Sequence, residues 1–188
     1  MQLKLSQTAT ARFGVHAKRM EQGSMALIQS SAIMADGAIE HAYIDRTDPA
    51  LVNYKDTDIL RKDDVLLIGK GAANTAAVWP GSTELTLASG MLFVIRPNPE
   101  MVHPAFLAEY LNSLPAQAQM AMYRKTGSVS VLSRKALDHL LVPVPTLGEQ
   151  HKLVQLANAA KRAKLHLNEL TNAYSQLLDA VWANYPGP

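Results

Sequence analysis

The sequence predicts an α+β protein, a mostly-strand head of roughly 145 residues followed by one long C-terminal coiled-coil helix. Three observations carry that expectation. From Leu3 to Val144 the apolar residues come in runs of four to six, broken by Gly, Pro, Asn and Asp. After Pro145 the spacing turns helical, and from Glu149 to Tyr185 there is neither Gly nor Pro. The change at Pro145 divides the chain into domains 1–145 and 146–188.

Within the head, Ala26–Ile28, Val65–Ile68, Leu85–Leu87, Met91–Ile95 and Leu140–Val144 are short, rich in Val, Ile and Leu, and bounded by turn residues such as Asp36-Gly37, Gly69, Gly71, Pro80-Gly81 and Pro97-Asn98-Pro99. They read as strands. One helix interrupts them, from Pro104 to about Met120, with Leu107, Tyr110, Leu111 and Leu114 on one face and Pro104 in the first turn. Ser133 is placed to cap a shorter helix, Arg134–His139, ahead of the strand ending at Val144-Pro145.

The second domain opens Thr146-Leu147-Gly148-Glu149, the pattern of a capping box. Steps of seven from Leu153 give Leu153, Ala160, Leu167, Tyr174 and Val181. Steps of three from each give Leu156, Ala163, Leu170, Leu177 and Asn184, so nine of ten a and d positions are apolar. A repeat this sustained expects a partner helix along the Leu153, Leu156, Leu167, Leu170, Tyr174, Leu177 and Val181 face. At 1.5 Å per residue, Thr146 to Ala183 spans about 57 Å, more than a head of this size covers.

Composition narrows the function. The 188 residues contain 48% hydrophobic and 18% charged residues, which suits a folded chain with a sizeable core. Eighteen Lys and Arg face sixteen Asp and Glu, for a net charge of +2, so any nucleic-acid site has to be local. Zero cysteines remove disulfides, thiolate zinc sites and cysteine nucleophiles. No apolar run is long enough to span a membrane, and the first thirty residues lack a signal-peptide core, so no membrane partner is expected and the expected compartment is the cytoplasm.

Catalytic patterns fail one by one. Gly69-Lys70-Gly71 lacks the earlier Gly and the following Ser or Thr of a phosphate loop. The six histidines form no i, i+4 pair, and no Gly-x-Ser-x-Gly elbow occurs. Asn98-Pro99-Glu100-Met101 is half of the amino-methyltransferase motif, without its second proline and its aromatic. Asp56, Asp58, Asp63 and Asp64 read as a solvated acidic turn. The expectation is a non-enzyme with no cofactor or metal of its own.

What remains are polar loops suited to DNA. Gln29-Ser30-Ser31 follows one strand, Lys70 to Thr75 with Asn74 follows another, and Arg124, Lys125, Gly127 and Ser128 leave the helix. They combine cations for phosphates with amides and hydroxyls that pair with base edges. Alone this is a generic loop composition.

The order of motifs adds to it. Leu60-Arg61-Lys62-Asp63-Asp64-Val65-Leu66-Leu67-Ile68, then a Gly-containing loop, then Leu140-Leu141-Val142-Pro143-Val144-Pro145-Thr146-Leu147-Gly148-Glu149-Gln150 opening a heptad helix, resembles the specificity (S) subunit of type I restriction-modification systems. Arg12-Phe13-Gly14-Val15 and Ala26-Leu27-Ile28-Gln29 resemble that family's first turns more loosely. Asp63 stands where the family has Gly, and Thr146-Leu147-Gly148 replaces a more proline-rich junction. The resemblance implies that 1–145 is a target recognition domain and 146–188 a spacer and dimerisation helix. It carries over the loop positions Lys70 to Thr75 and the Gly127-Ser128 region but no individual base contact; with the loop compositions, the expected DNA-binding residues are Arg12, Gln29, Ser30, Lys70, Asn74, Thr75, Arg124, Lys125 and Ser128. It also implies double-stranded DNA, a modification methyltransferase carrying S-adenosylmethionine and, through the complex, a restriction subunit as partners.

A usual S subunit has two recognition domains and two helices, whereas this sequence has one of each and resembles a half-subunit. Pairing of the heptad face with its own copy in a homodimer then gives an antiparallel pair with a reader at each end and a bipartite palindromic target. A coiled-coil scaffold that binds protein and not DNA is the alternative.

Overall fold

The structure is a computed structural model describing residues 1–71, 73–123 and 131–185. The chain forms two compact units, Met1–His151 and Lys152–Pro188.

The first unit is an α+β head. Its strands are β1 (Gln2–Lys4), β2 (Ala9–Phe13), β3 (Met25–Ile28), β4 (Asp45–Thr47), β5 (Val65–Ile68), β6 (Ala76–Val78), β7 (Thr86–Ala88), β8 (Leu92–Pro97) and β9 (Leu141–Pro143). The helices are α1 (Leu5–Thr8), α2 (Pro104–Asn112), α3 (Leu114–Met122), α4 (Arg134–Asp138) and α5 (Leu147–Ala183), the last beginning in the head. The main sheet runs β2-β8-β5-β6, every pair antiparallel. A second sheet runs β4-β3-β7, with β3 antiparallel to β4 and parallel to β7. β1 pairs antiparallel with β9 and ties the chain start to the strand before α5.

The core follows the two-residue strand period. On β3 all four residues are buried, which is why the segment reads as a continuous apolar run. Met25 and Leu27 join a cluster with Val15, Val52 and Leu87, whereas Ile28 joins Leu66, Trp79, Leu92 and Val94. α2 packs on β5, β6 and β8 with Leu107 and Leu111 fully buried. The Asn112 side chain closes the exposed edge of the main sheet: its Oδ1 accepts the Ala76 N–H at 2.8 Å and its Nδ2 donates to the Ala76 carbonyl at 2.8 Å.

Two expectations need correction. The helix expected from Pro104 to Met120 is two helices, with Ser113 extended between them (φ −74°, ψ 153°). Pro115 has no N–H to give to the Leu111 carbonyl in a continuous helix. The Gln117 amide donates to that carbonyl instead, at 2.7 Å. The acidic turn is not wholly solvated either. Asp64 is 1% exposed and binds Arg96 through both oxygens, at 2.7 Å each, while accepting the Arg61 N–H at 2.8 Å. The Asp64–Arg96 side-chain hydrogen bond raises the Arg96 pKa above its ordinary value. Asp63 adopts φ 71°, the left-handed conformation that glycine takes most easily and Asp tolerates.

The caps behave as their sequence suggests. Ser133 Oγ accepts the Ala136 N–H at 3.1 Å. Thr146 N–H donates to Glu149 Oε2 at 2.9 Å, and Thr146 Oγ1 accepts the Glu149 N–H at 3.3 Å. One turn later Gln150 is fully buried, accepting the His103 N–H at 2.8 Å and donating to the Met101 and Pro145 carbonyls at 2.9 Å each. The first turn of α5 is thereby fastened within the head.

Candidate nucleic-acid interface

The strand ends bring the loops together. Gly14 N–H, after β2, donates to the Leu92 carbonyl at 2.9 Å, and Val15 N–H to Ala88 at 2.8 Å. Ser89 N–H donates to Ile28, the last residue of β3, at 2.8 Å. Gly69 and Lys70, just past β5, donate to the Met91 carbonyl at 2.9 and 3.3 Å, and the Gly69 carbonyl accepts the Leu132 N–H at 2.9 Å. The segment Ala88–Leu92 is therefore a hub on which the ends of β2, β3 and β5 meet. The loops Gln29–Ser31 and Lys70–Thr75 begin there, and residues 131–132 return there directly after 124–130.

Glycine is required at the centre of this hub. A Cβ on Gly69 would lie 2.7 Å from the Phe93 ring, and Phe93 is fully buried with no room to move. Phe13 stacks on Phe93 with ring centroids 4.0 Å apart, and the Lys70 ammonium lies 5.7 Å from the Phe13 centroid.

The expected contact residues separate into groups. Lys70 and Thr75 are half-buried at the two ends of the second loop, and the Ile68 N–H donates to the Thr75 carbonyl at 2.9 Å. Asn74 is 3% exposed; its side chain donates to the Ile68 carbonyl at 2.6 Å and its carbonyl accepts from Gln117 at 2.8 Å. Its amide is committed to holding the loop. Gln29 and Ser30 are half-buried after β3, and Gln29 Nε2 donates to Asp45 at 2.9 Å. Arg12 sits one residue before Phe13 and so on the opposite face of the main sheet from Lys70. It lies 3.7 Å from Asp58, and burial lowers its pKa, with Asp58 opposing that shift. Arg124, Lys125 and Ser128 lie outside the described residues.

Phe13 had no signal in the sequence beyond its place before Gly14. Its relation to Lys70 depends on strand register, which pairs Phe13 with Phe93 across β2 and β8.

On α5 the heptad residues are exposed: Leu153, Leu156, Leu167, Leu170, Tyr174, Leu177 and Val181 range from 47% to 67%. Trp182 and Tyr185 add exposed aromatic surface near its end, with centroids 5.9 Å apart. Among the described residues, no helix is long and apolar enough to cross a membrane, and no three His, Asp or Glu side chains gather as a metal-ligand set.

Solved structures share this fold. A chain from the work on complex assembly and conformational transition of the type I R-M system aligns over 96% of this chain and 43% of its own, with TM-score 0.69 and 16% identity. The S subunit of a type I restriction-modification system from M. genitalium aligns over 96% and 44%, with TM-score 0.61 and 12% identity. The HsdS subunit from Thermoanaerobacter tengcongensis aligns over 90% and 39%, with TM-score 0.56 and 13% identity. At these identities the likeness is one of fold, and the chain spans about two fifths of the length of each. No protein-family model and no curated protein matches the sequence.

Proposed function

We propose that this chain works as a half-length specificity subunit of a type I restriction-modification system, a non-catalytic module whose head recognises double-stranded DNA and whose α5 pairs two copies. The observation that carries the reading is the convergence of the Gln29–Ser31 and Lys70–Thr75 loops, with residues 131–132, on one hub in a head with the S-subunit fold. In this reading Lys70, Arg124 and Lys125 neutralise phosphates, and Gln29, Ser30, Thr75 and Ser128 meet base edges. Asn74 and Arg12 hold the head together.

The helix supplies the second reader. Seven exposed apolar a and d residues on one helix want a matching face, and a second copy provides one. Charge favours the antiparallel direction: in the unit after His151 the four cations, Lys152, Lys161, Arg162 and Lys164, all precede the two acids, Glu169 and Asp179. Antiparallel pairing sets the cationic stretch 152–164 of one helix against the acidic stretch 169–179 of the other. Two identical heads related by a two-fold axis read identical half-sites on opposite strands, so the target is bipartite and palindromic. The 57 Å helix limits the separation of the readers to about 17 bp at 3.4 Å per base pair. The paired subunit directs a partner adenine methyltransferase, which carries S-adenosylmethionine, and through it a restriction subunit. Since head and helix are each near neutral, a lone head binds DNA weakly and pairing supplies the affinity.

Methyladenine mapping in cells carrying the chain and its methyltransferase tests this. A two-part palindromic motif with an unread spacer is expected. If the map shows no such motif and duplex binding by the assembled complex does not depend on salt, the scaffold reading replaces this one.

A further inference from the structure

Lys70 is held from both ends. Its backbone N–H is bonded to the Met91 carbonyl, and Lys70 forms an isolated antiparallel β-bridge with Val131. Its side chain lies along the protein to the face of Phe13, with the ammonium 5.7 Å from the ring centroid. Phe13 in turn is restrained, because its ring stacks on the fully buried Phe93 with centroids 4.0 Å apart. No described carboxylate forms a salt bridge with Lys70, so its charge is not cancelled locally. A lysine on a loop normally loses much of its rotamer freedom when it meets a phosphate. Here the ring attracts the ammonium through its quadrupole and restricts it beforehand, while N–H groups directed away from the ring stay available to an anion.

We propose that Phe13 is a positioning residue for DNA binding: seated on Phe93, it presents the Lys70 ammonium as a pre-placed phosphate contact at the mouth of the hub. The inference rests on the DNA reading above and deepens it. Phe13 itself touches no nucleic acid and acts through Lys70.

The test is a double-mutant cycle with the full chain, binding a 30-bp duplex pool of random sequence by anisotropy between 50 and 200 mM NaCl. Lys70→Ala should weaken binding and reduce the slope of log K against log salt by about 0.9, the value for one phosphate contact. Phe13→Leu should weaken binding about three-fold when Lys70 is present and leave the Lys70→Ala chain unchanged, the size expected of an exposed cation–π contact. Phe13→Tyr keeps the ring and should bind like the parent chain; it also keeps the test open if the leucine variant unfolds. An equal loss from Phe13→Leu in both backgrounds, or a Phe13→Leu chain that binds like the parent, overturns the positioning role. An unchanged salt slope in Lys70→Ala removes the phosphate contact and the inference with it. A parent chain whose binding shows no salt slope defeats the DNA reading itself, a different result from any of these.

Discussion

Leu66, Leu92 and Leu107 in the head are fully buried, whereas Leu156, Leu167 and Leu170 on α5 keep 63–67% of their surface exposed. The same residue type thus serves two purposes. In the head, apolar side chains close on one another between the sheets and beneath α2, and that unit completes its own core. On α5 they form an exposed face at a spacing of 3.5 residues. Polar groups divide in the same way. Asp64 and Gln150 in the head are buried and bonded at each functional atom, and on α5 Thr171 and Ser175 bond only to carbonyls four residues back. The head closes over its own apolar side chains, and the heptad face of α5 keeps its apolar side chains exposed.

The largest expected effect falls on the helix. Replacing Leu167 and Leu170 together with Glu puts four carboxylates into the seam of a two-copy assembly, where each leucine would otherwise gain about 1–2 kcal/mol on being covered. Sedimentation should show the mass fall from two copies to one, with the head's thermal unfolding unaltered. A variant whose mass stays that of the parent would break the comparison, because α5 would then be associating through another face or not at all.

Next is the head's ion pair. Asp64→Ala leaves Arg96 without its partner at a site where the carboxylate is 1% exposed, at a cost of about 2–3 kcal/mol, less than a fully buried pair because Arg96 reaches solvent. Urea unfolding should show that loss while α5 association persists. Loss of association at the same time would mean that the helix depends on the head's ion pair for its pairing.

The comparison also explains what the sequence could disclose. The heptad, the Thr146 cap and the strands around Leu27, Leu66 and Phe93 rest on local periodicity, and such patterns survive without knowledge of the fold. β2, β4 and β6 are short and contain Ala, Thr, Asp or Arg, and they become strands through partners far along the chain, as Ala11 does opposite Ile95. Asp64 looked like a surface acid because its partner is 32 residues away. The candidate interface was legible only in part: the loops stand out by composition, but the hub at Ala88–Leu92 and the place of Phe13 come from register. Register also gave Asn74 and Gln29 hydrogen-bond partners within the head, which composition does not reveal.

The smallest expected effect lies where the head fastens the first turn of α5. His103 caps α2, gives its N–H to buried Gln150, and stacks obliquely on His151 with centroids 4.5 Å apart. Burial lowers the His103 pKa below its ordinary value, His151 lowers it further, and Asp63 pulls the other way. In the unfolded chain the imidazole takes up its proton near pH 6.5. Between that value and the lower one of the folded head, the unfolded state binds more protons, so stability rises with pH across this window. The contribution is therefore complete above about pH 6.5 and is lost as pH falls from there toward the folded value. Urea midpoints at pH 7.5 and 5.5 should differ more for the parent chain than for His103→Asn, which has no imidazole to protonate. His151→Asn should lie between them, because removing that neighbour lets the His103 pKa rise back toward normal. Identical pH dependence in all three chains would place the acid sensitivity elsewhere in the head and leave the Gln150 fastening indifferent to protonation.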